Sequence, residues 1–372
     1  MRVFALALVA CALLVSSASA SPSGVTVVAR GGAKLALRAP GTDAPYRQLG
    51  LSGDGRLVSI GGWVVGHVKL PTRTLAWAPT GERAAYVTTD GAVAEWTPLH
   101  GRRFLEPKGW GGTSWAGIAW SSNGALAVPR GNELWVLRDG SAKRVAGPLA
   151  PNTGTGGPDV PEPFAWAGDH VLWWRWPGSG SVAADGVDLY EDATKIGTML
   201  AYRNFVATCG SHIAFVSGGD RYSMAGKSIF FDRRDVSADP RLSWVEPSCS
   251  AGGRLVAAAS TNTHLTNLTK THRAIWQLLP AKKRLTSPPW GWSDEDPRLL
   301  PDGSLLFVRT RIHSVRHGDS WLDTQTGRVM VLAHGKLVQM AQIGYRNVDE
   351  LKTYLGPYYG HYDWSSFLAV RP

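Results

Sequence analysis

Nine residues able to bind or move charge fall in three segments of the second half of the sequence. Arg221 and Tyr222 lie in 218–227, His264, His272 and Arg273 in 260–273, and Arg311, His313, Arg316 and His317 in 309–319. Imidazoles are the commonest protein ligands of transition metals, and four of them from two segments can in principle meet on one ion. The spacing of His313 and His317 puts two ligands on one face only in a helix, and 309–319 carries no helical pattern. No metal is therefore assigned. Guanidinium and imidazole groups also suit an anionic or hydrogen-bonding ligand, and that is the chemistry expected of these nine. Three acids in a row, Asp294, Glu295 and Asp296, suit calcium binding, general acid–base work or the capping of turns. Trp290 and Trp292, just before them, are placed either to stack on a sugar ring or, as the preferred reading, to fill a wedge between sheets.

The usual catalytic arrangements are missing. There is no Gly-x-Ser-x-Gly elbow, no His-Glu-x-x-His and no Walker loop. No catalytic residue and no cofactor is assigned. A binding role is expected ahead of an enzymatic one.

One short pattern, repeated six times, must position these groups. Residues 77–81 (Trp-Ala-Pro-Thr-Gly) lead into an apolar run at 83–87, and 120–124 (Trp-Ser-Ser-Asn-Gly) into 125–128. Corresponding turns and runs recur at 166–174, 209–216, 249–258 and 300–308. The turn glycines are Gly81, Gly124, Gly168, Gly210, Gly252 and Gly303, separated by 43, 44, 42, 42 and 51 residues. Each interval holds four short strands, such as 75–77, 83–88, 92–98 and 102–105. Four-stranded units at this period cannot bury both faces alone and stack in a ring, which predicts an all-β protein, a β-propeller. Seven blades fit best, with eight or six as alternatives, and both termini are expected to close the ring. Residues 21–372 then make a single domain. The connections from second to third strand share one rim, and the three segments named above are such connections. Loop insertions on one rim are where repeat proteins place binding. The acids 294–296 fall between blades, at the mouth of the central channel.

Residues 77–87 and 296–308 (Asp-Pro-Arg-Leu-Leu-Pro-Asp-Gly-Ser-Leu-Leu-Phe-Val) resemble the TolB-like, or WD40-like, propeller repeat, and the likeness runs from about residue 48 to 336. The Pro-Asp-Gly turn of that repeat is intact only at 301–303, and cysteine stands near the usual tryptophan in two copies. The resemblance implies a propeller and no catalytic motif. Such repeats occur in periplasmic scaffold proteins, in propeller domains of prolyl-oligopeptidase-type peptidases and in some polysaccharide lyases. The expected function is thus a non-catalytic binding or scaffold module for a protein, peptide or glycan. The alternative is a polysaccharide lyase or glycan hydrolase at the channel mouth.

The first twenty residues read as a secretory signal: Arg2, an apolar stretch over 3–15, and Ala18-Ser19-Ala20 before the cleavage point. Cys11 after Leu8-Val9-Ala10 offers a lipoprotein alternative. No later run is long enough to span a bilayer as a helix. An exported location is expected, periplasmic, in the cell envelope or extracellular. Loss of 1–20 would lower the net charge from +10 to +9, because Arg2 leaves and no acid does. The basic residues are scattered, so nucleic acid is not the expected partner. Charged residues make up 18% of the chain, below the usual level of about a quarter, alongside 17 tryptophans and 43 glycines, as turn-rich β-structure requires. Cys209 and Cys249 occupy equivalent places in consecutive repeats, and export favours a disulfide between them. Asn267-Leu268-Thr269 matches a glycosylation acceptor.

Overall fold

The computed structural model describes residues 26–29, 58–59, 64–65, 68–69, 75–78, 83–88, 90–97, 100–111, 117–151, 159–177, 185–200, 203–217, 226–237, 239–261, 272–300, 302–317, 320–344 and 368–371, with the backbone alone described for the strands before Ala76 and for 77, 312–326, 341–344 and 368–371. These residues form six four-stranded antiparallel sheets, each a simple meander in chain order. Blade I comprises Leu75–Trp77, Ala84–Val87, Val93–Thr97 and Gly101–Glu106. Blade II comprises Ala119–Trp120, Leu126–Arg130, Glu133–Arg138 and Ser141–Ala146. Blade III comprises Glu162–Ala167, His170–Arg175, Val187–Glu191 and Thr194–Met199. Blade IV comprises Val206–Cys209, His212–Ser217, Ser228–Phe231 and Arg234–Asp235. Blade V comprises Ser243–Cys249, Leu255–Ser260, Ala274–Leu279 and Lys283–Arg284. Blade VI comprises Ser293–Leu299, Leu305–His317, Ser320–Ala333 and Lys336–Gly344.

The first strand of each blade lies against the first strand of the next, from I through VI. The second strands of the first five blades are mostly buried, whereas the fourth strands carry the exposed residues. That gradient, with first strands side by side and fourth strands at the outside, is propeller architecture. The same joint recurs between successive blades. The Trp120 indole N–H donates to the Ala76 carbonyl at 3.2 Å, and the Trp166 indole to the Ala119 carbonyl at 3.0 Å. Apolar clusters bridge neighbours all along the row: Val87 and Val93 with Leu126 and Val128, Leu134 with Val171 and Trp173, and Val256 and Ile275 with Leu305 and Phe307. The largest cluster joins blades III, IV and V through Leu189, Phe215, Trp244 and Ala257.

Turn chemistry matches the repeat. Gly124, Gly168, Gly210 and Gly303 adopt positive φ in the first-to-second-strand turns. In the fifth repeat Gly253, with φ 76°, takes this role instead of the expected Gly252, because Ser250–Arg254 closes with the same bonds as Ser121–Ala125, which makes Gly253 the counterpart of Gly124. Asp139, Asp192, Asp232 and His334 adopt φ of 47–49° in the third-to-fourth-strand turns, a conformation that Asp tolerates better than most residues. Two of these aspartates also latch the blade: Asp192 takes His170 Nδ1 at 2.6 Å and Asp232 takes His212 Nδ1 at 2.7 Å.

Cys209 and Cys249, at the ends of the first strands of blades IV and V, are disulfide-bonded with a Cα–Cα distance of 5.7 Å. A three-stranded sheet (Val58–Ser59, Val64–Val65, Val68–Lys69) precedes blade I. Thr26–Ala29 pairs antiparallel with Leu368–Arg371, Val27 opposite Val370. The expected further blade falls on the residues around these two short sheets. Residues 347–355, which the sequence reads as a short helix, lie outside the described residues. No described helix is long and apolar enough to cross a membrane.

One expected loop is a strand pair. Residues 309–319 were expected as a second-to-third-strand connection. Instead Leu305–His317 and Ser320–Ala333 pair continuously from Leu305↔Leu332 to His317↔Ser320. The high charge of this stretch disguises an extended run whose partner is the strand that follows it.

Candidate functional site

A meander places its first-to-second and third-to-fourth turns at one end and its second-to-third connections at the other. Neighbouring blades keep these ends together. The Gly168 amide donates to the Gly210 carbonyl at 2.6 Å, and Arg254 Nη1 to the Gly303 carbonyl at 2.6 Å, so first-to-second turns meet across two separate joints. One rim of the molecule therefore carries short turns. At the opposite rim the second strands of blades III, IV and V end and their third strands begin, with long connections between them in the sequence, and the blade VI hairpin follows on the same side.

Of the nine candidate residues, Arg221, Tyr222 and His264 lie outside the described residues. His313, Arg316 and His317 occupy paired strand positions opposite Thr324, Trp321 and Ser320. Arg311 is exposed and stands opposite Thr326. His272 is half-buried, and its Nδ1 has no hydrogen-bond partner among the described residues. Arg273 is buried at 4% exposure and committed to an ion pair, its Nη1 donating to Glu295 at 2.8 Å. Arg273 is thus a structural group, held by the blade beside it. The 218–227 and 260–273 segments and the hairpin emerge from successive blades on the same rim.

The three acids are not in a connection between blades. Asp294, Glu295 and Asp296 belong to the first strand of blade VI, all nearly inaccessible. Asp294 receives a two-pronged bond from Arg309, with Nε at 2.6 Å and Nη2 at 2.9 Å. Asp296 takes Arg298 Nη2 at 2.7 Å. Removal of such charges from water is costly unless each is paired in good geometry, and here the arginines supply that pairing. Of these pairs Arg273–Glu295 ties blade V to blade VI, while Asp294–Arg309 and Asp296–Arg298 lie within blade VI.

Glu246 completes this network and was missed in the sequence. Its Oε2 accepts the Asp296 amide at 2.5 Å across the joint between blades V and VI. Glu246 and Asp296 adopt φ of 56° and 52°, each just before a proline. Each sits in the same bulge, where two residues of the first strand face one of the second. The signal was available: Ser243-Trp-Val-Glu-Pro247 and Ser293-Asp-Glu-Asp-Pro297 share Ser, acid and Pro at the same spacing. Burial, and then the nearby charges of Glu295 and Asp296, hold the Glu246 carboxyl well above the usual carboxylate range, against a smaller opposing effect of Arg273.

Trp290 is 94% exposed and does not fill the wedge between blades. Trp292 lies beneath Arg328, whose guanidinium carbon is 4.2 Å from the ring centroid. By contrast Trp120 and Trp173 are buried.

The short-turn rim carries clefts between blades. One, of about 320 Å³, lies between blades I and II, lined by Arg83, Glu95, Arg103, Trp120 and Arg138. Glu95 holds Arg83 at 3.2 Å and Arg103 at 2.7 Å, and Arg83 stacks on Trp120 at 4.5 Å. Its cationic groups are largely neutralised within the cleft. Another, of about 560 Å³, lies between the turns of blades V and VI around Arg254 and Leu300. Among the described residues no group of three or more His, Cys, Asp or Glu side chains is placed to hold a metal ion.

No family model matches the sequence, and no curated protein matches it. Solved structures are similar to it at low identity. Prolyl oligopeptidase B from Galerina marginata, bound to a hydrolysis and macrocyclization substrate, is 12% identical, with a TM-score of 0.37 over 75% of this chain and 42% of that one. This chain thus spans less than half of that protein's length. The β-propeller domain of Cps50 (Swd1) from Myceliophteria thermophila is 11% identical over 75% of this chain and 89% of its own, with a TM-score of 0.28. The RRP9 WD40 repeats are 13% identical over 74% and 82%, with a TM-score of 0.32. The fold assignment stands on the order and stacking of the six blades rather than on these likenesses.

Proposed function

We propose that this chain is an exported, non-catalytic propeller of the TolB-like, WD40-like repeat type, which binds a protein, peptide or glycan through the rim of long connections. The observation that carries this reading is the inequality of the two rims. Four-stranded blades with tight turns on one side, and long segments joining the second and third strands of blades III, IV and V with the blade VI hairpin on the other, form a platform with two unlike rims. Export is supported by the signal-like residues 1–20 and by the Cys209–Cys249 disulfide, a bond that persists in oxidising compartments. The acidic residues that an enzymatic reading would need are already engaged in buried ion pairs.

The test is affinity capture from the envelope fraction of the source cells with the native chain and with a His313→Ala, Arg316→Ala, His317→Ala variant. The expected result is one or more partners held by the native chain and lost by the variant at equal fold stability. An identical set of partners for both would remove the long-connection rim from consideration.

A further inference from the structure

The second and third strands of blade VI outrun their sheet. The first strand stops pairing at Ser293↔Thr310, and the fourth stops at Thr326↔Gly344. Beyond those levels, residues 311–317 and 320–326 continue as a two-stranded ribbon of seven residue pairs, Arg311↔Thr326 through His317↔Ser320. Among the described residues nothing pairs with the outer edge of 311–317. An unpaired strand edge presents a row of backbone donors and acceptors and is a template for an added strand.

Two further features select what can be added there. Between Arg311 and His317 the ribbon strand carries Arg311, His313, Arg316 and His317 and no acid. A second copy of the same edge would bring like charges together, which disfavours self-pairing, whereas an acidic strand is complementary. Trp290, the large side chain exposed at 94%, stands beside the base of this edge. A Cβ added to Gly291 would lie 4.0 Å from Arg311 Nε, and the chain enters the first strand only at Ser293. An exposed tryptophan next to an open edge is the kind of aromatic anchor that carries binding energy at interfaces.

We infer that the open edge 311–317, with Trp290 at its base, takes up an extended acidic peptide segment as an added β-strand, in line with the first strand of blade VI. The inference rests on the reading of the long-connection rim as the binding surface, and it names the partner's chemistry and mode of binding.

Fluorescence anisotropy with the full chain tests it. The probe is a labelled peptide of alternating Glu and Val, about eight residues long, the length that pairs with such an edge. Three comparison probes are used: the Lys–Val counterpart, the Glu–Val peptide N-methylated at alternate amides, and a scrambled Glu–Gly–Pro peptide of equal charge. Three chains are compared: native, Trp290→Ala, and a ribbon-shortened form in which Asn-Gly joins Thr310 to Gly327. The last gives up only Thr326↔Gly344 from the four-stranded part of blade VI, whose remaining pairs lie at or below Thr310↔Gly327.

Saturable binding of the Glu–Val peptide alone is expected, weakened about tenfold or more by N-methylation, by ribbon shortening and by Trp290→Ala. Equal binding of the N-methylated or scrambled peptide would overturn strand addition in favour of simple charge attraction. Equal binding by the ribbon-shortened chain would overturn the location. Dimerisation of the native chain that disappears on shortening would assign the edge to a second copy instead. Absence of binding by the acidic peptide, while the capture experiment still shows variant-sensitive partners, would overturn this inference and leave the broader reading standing.

Discussion

At the scale of single residues, the joint between blades V and VI buries four carboxyl groups. Glu246, Asp294, Glu295 and Asp296 face Arg273, Arg298 and Arg309 with almost no access to solvent except at Arg298. Glu246 is the member whose ionisation is most disfavoured, because burial and two neighbouring carboxylates act in the same direction. A carboxyl whose folded pKa is raised contributes stability that is fully present below its unfolded pKa and lost as pH rises through the folded value. Glu246→Gln keeps the acceptor for the Asp296 amide and cannot ionise. The variant should match the native chain at about pH 4–5 and exceed it by about 1–2 kcal/mol at pH 8, the sense in which replacement of a buried charge is often stabilising. Urea unfolding at the two pH values measures this, and a difference independent of pH would show that Glu246 is charged in the folded chain.

At the scale of strands and blades, the repeat was legible and its interruptions were not. Turn glycines, aspartates in left-handed turns and runs such as 84–87 and 126–128 carry local signals, because a hairpin needs nothing beyond its own residues to be recognised. The Cys209–Cys249 pairing followed from equal positions in adjacent repeats, since stacked blades bring like positions together. The blade VI ribbon escaped notice because its charged residues resemble a solvated connection until the register with 320–333 is known. The acids 294–296 were misplaced for a similar reason: Arg273 and Arg309, both from other segments, make the burial of Glu295 and Asp294 tolerable, and Arg298 that of Asp296. Gly197 is another tertiary feature without a local signature. A Cβ there would lie 2.6 Å from Phe215 Cε2 and 2.9 Å from its Cζ, across the joint between blades III and IV. Phe215 is buried and stacked on Phe230 at 5.5 Å, so its ring has little room to yield. Gly197→Ala should destabilise the chain by about 1–3 kcal/mol through overpacking. Combination with Phe215→Leu should cost less than the sum of the two single changes, because the smaller side chain relieves the same clash. Strict additivity in a double-mutant cycle by chemical unfolding would show that the two positions do not press on one another.

At the scale of the molecule, stability passes from blade to blade. Each sheet is too thin to bury its own faces, so the apolar clusters that run from Val87 in blade I to Phe307 in blade VI are shared surfaces rather than private cores. In such a row the weakest places are the ends, where among the described residues the outer faces of blades I and VI have no neighbouring blade. The pairing of Thr26–Ala29 with Leu368–Arg371 brings the two ends of the chain to one place through four residue pairs. A strand contributed from far away in sequence acts as a clasp: its loss removes few contacts of its own and allows the terminal faces to part. Deletion of 368–372 should therefore lower the thermal midpoint by several degrees, more than surface trimming would, since each kcal/mol corresponds to about 2–4 °C in a domain of moderate size. The change should reach beyond the deleted strand. Hydrogen exchange is expected to quicken in the first strands of blades I and VI while the disulfide-linked blades IV and V remain protected, because the largest cluster and the Cys209–Cys249 bond lie far from the opening. An unchanged midpoint, with exchange altered only at Thr26–Ala29, would show that the terminal pair is an appendage and that the blades hold together without it.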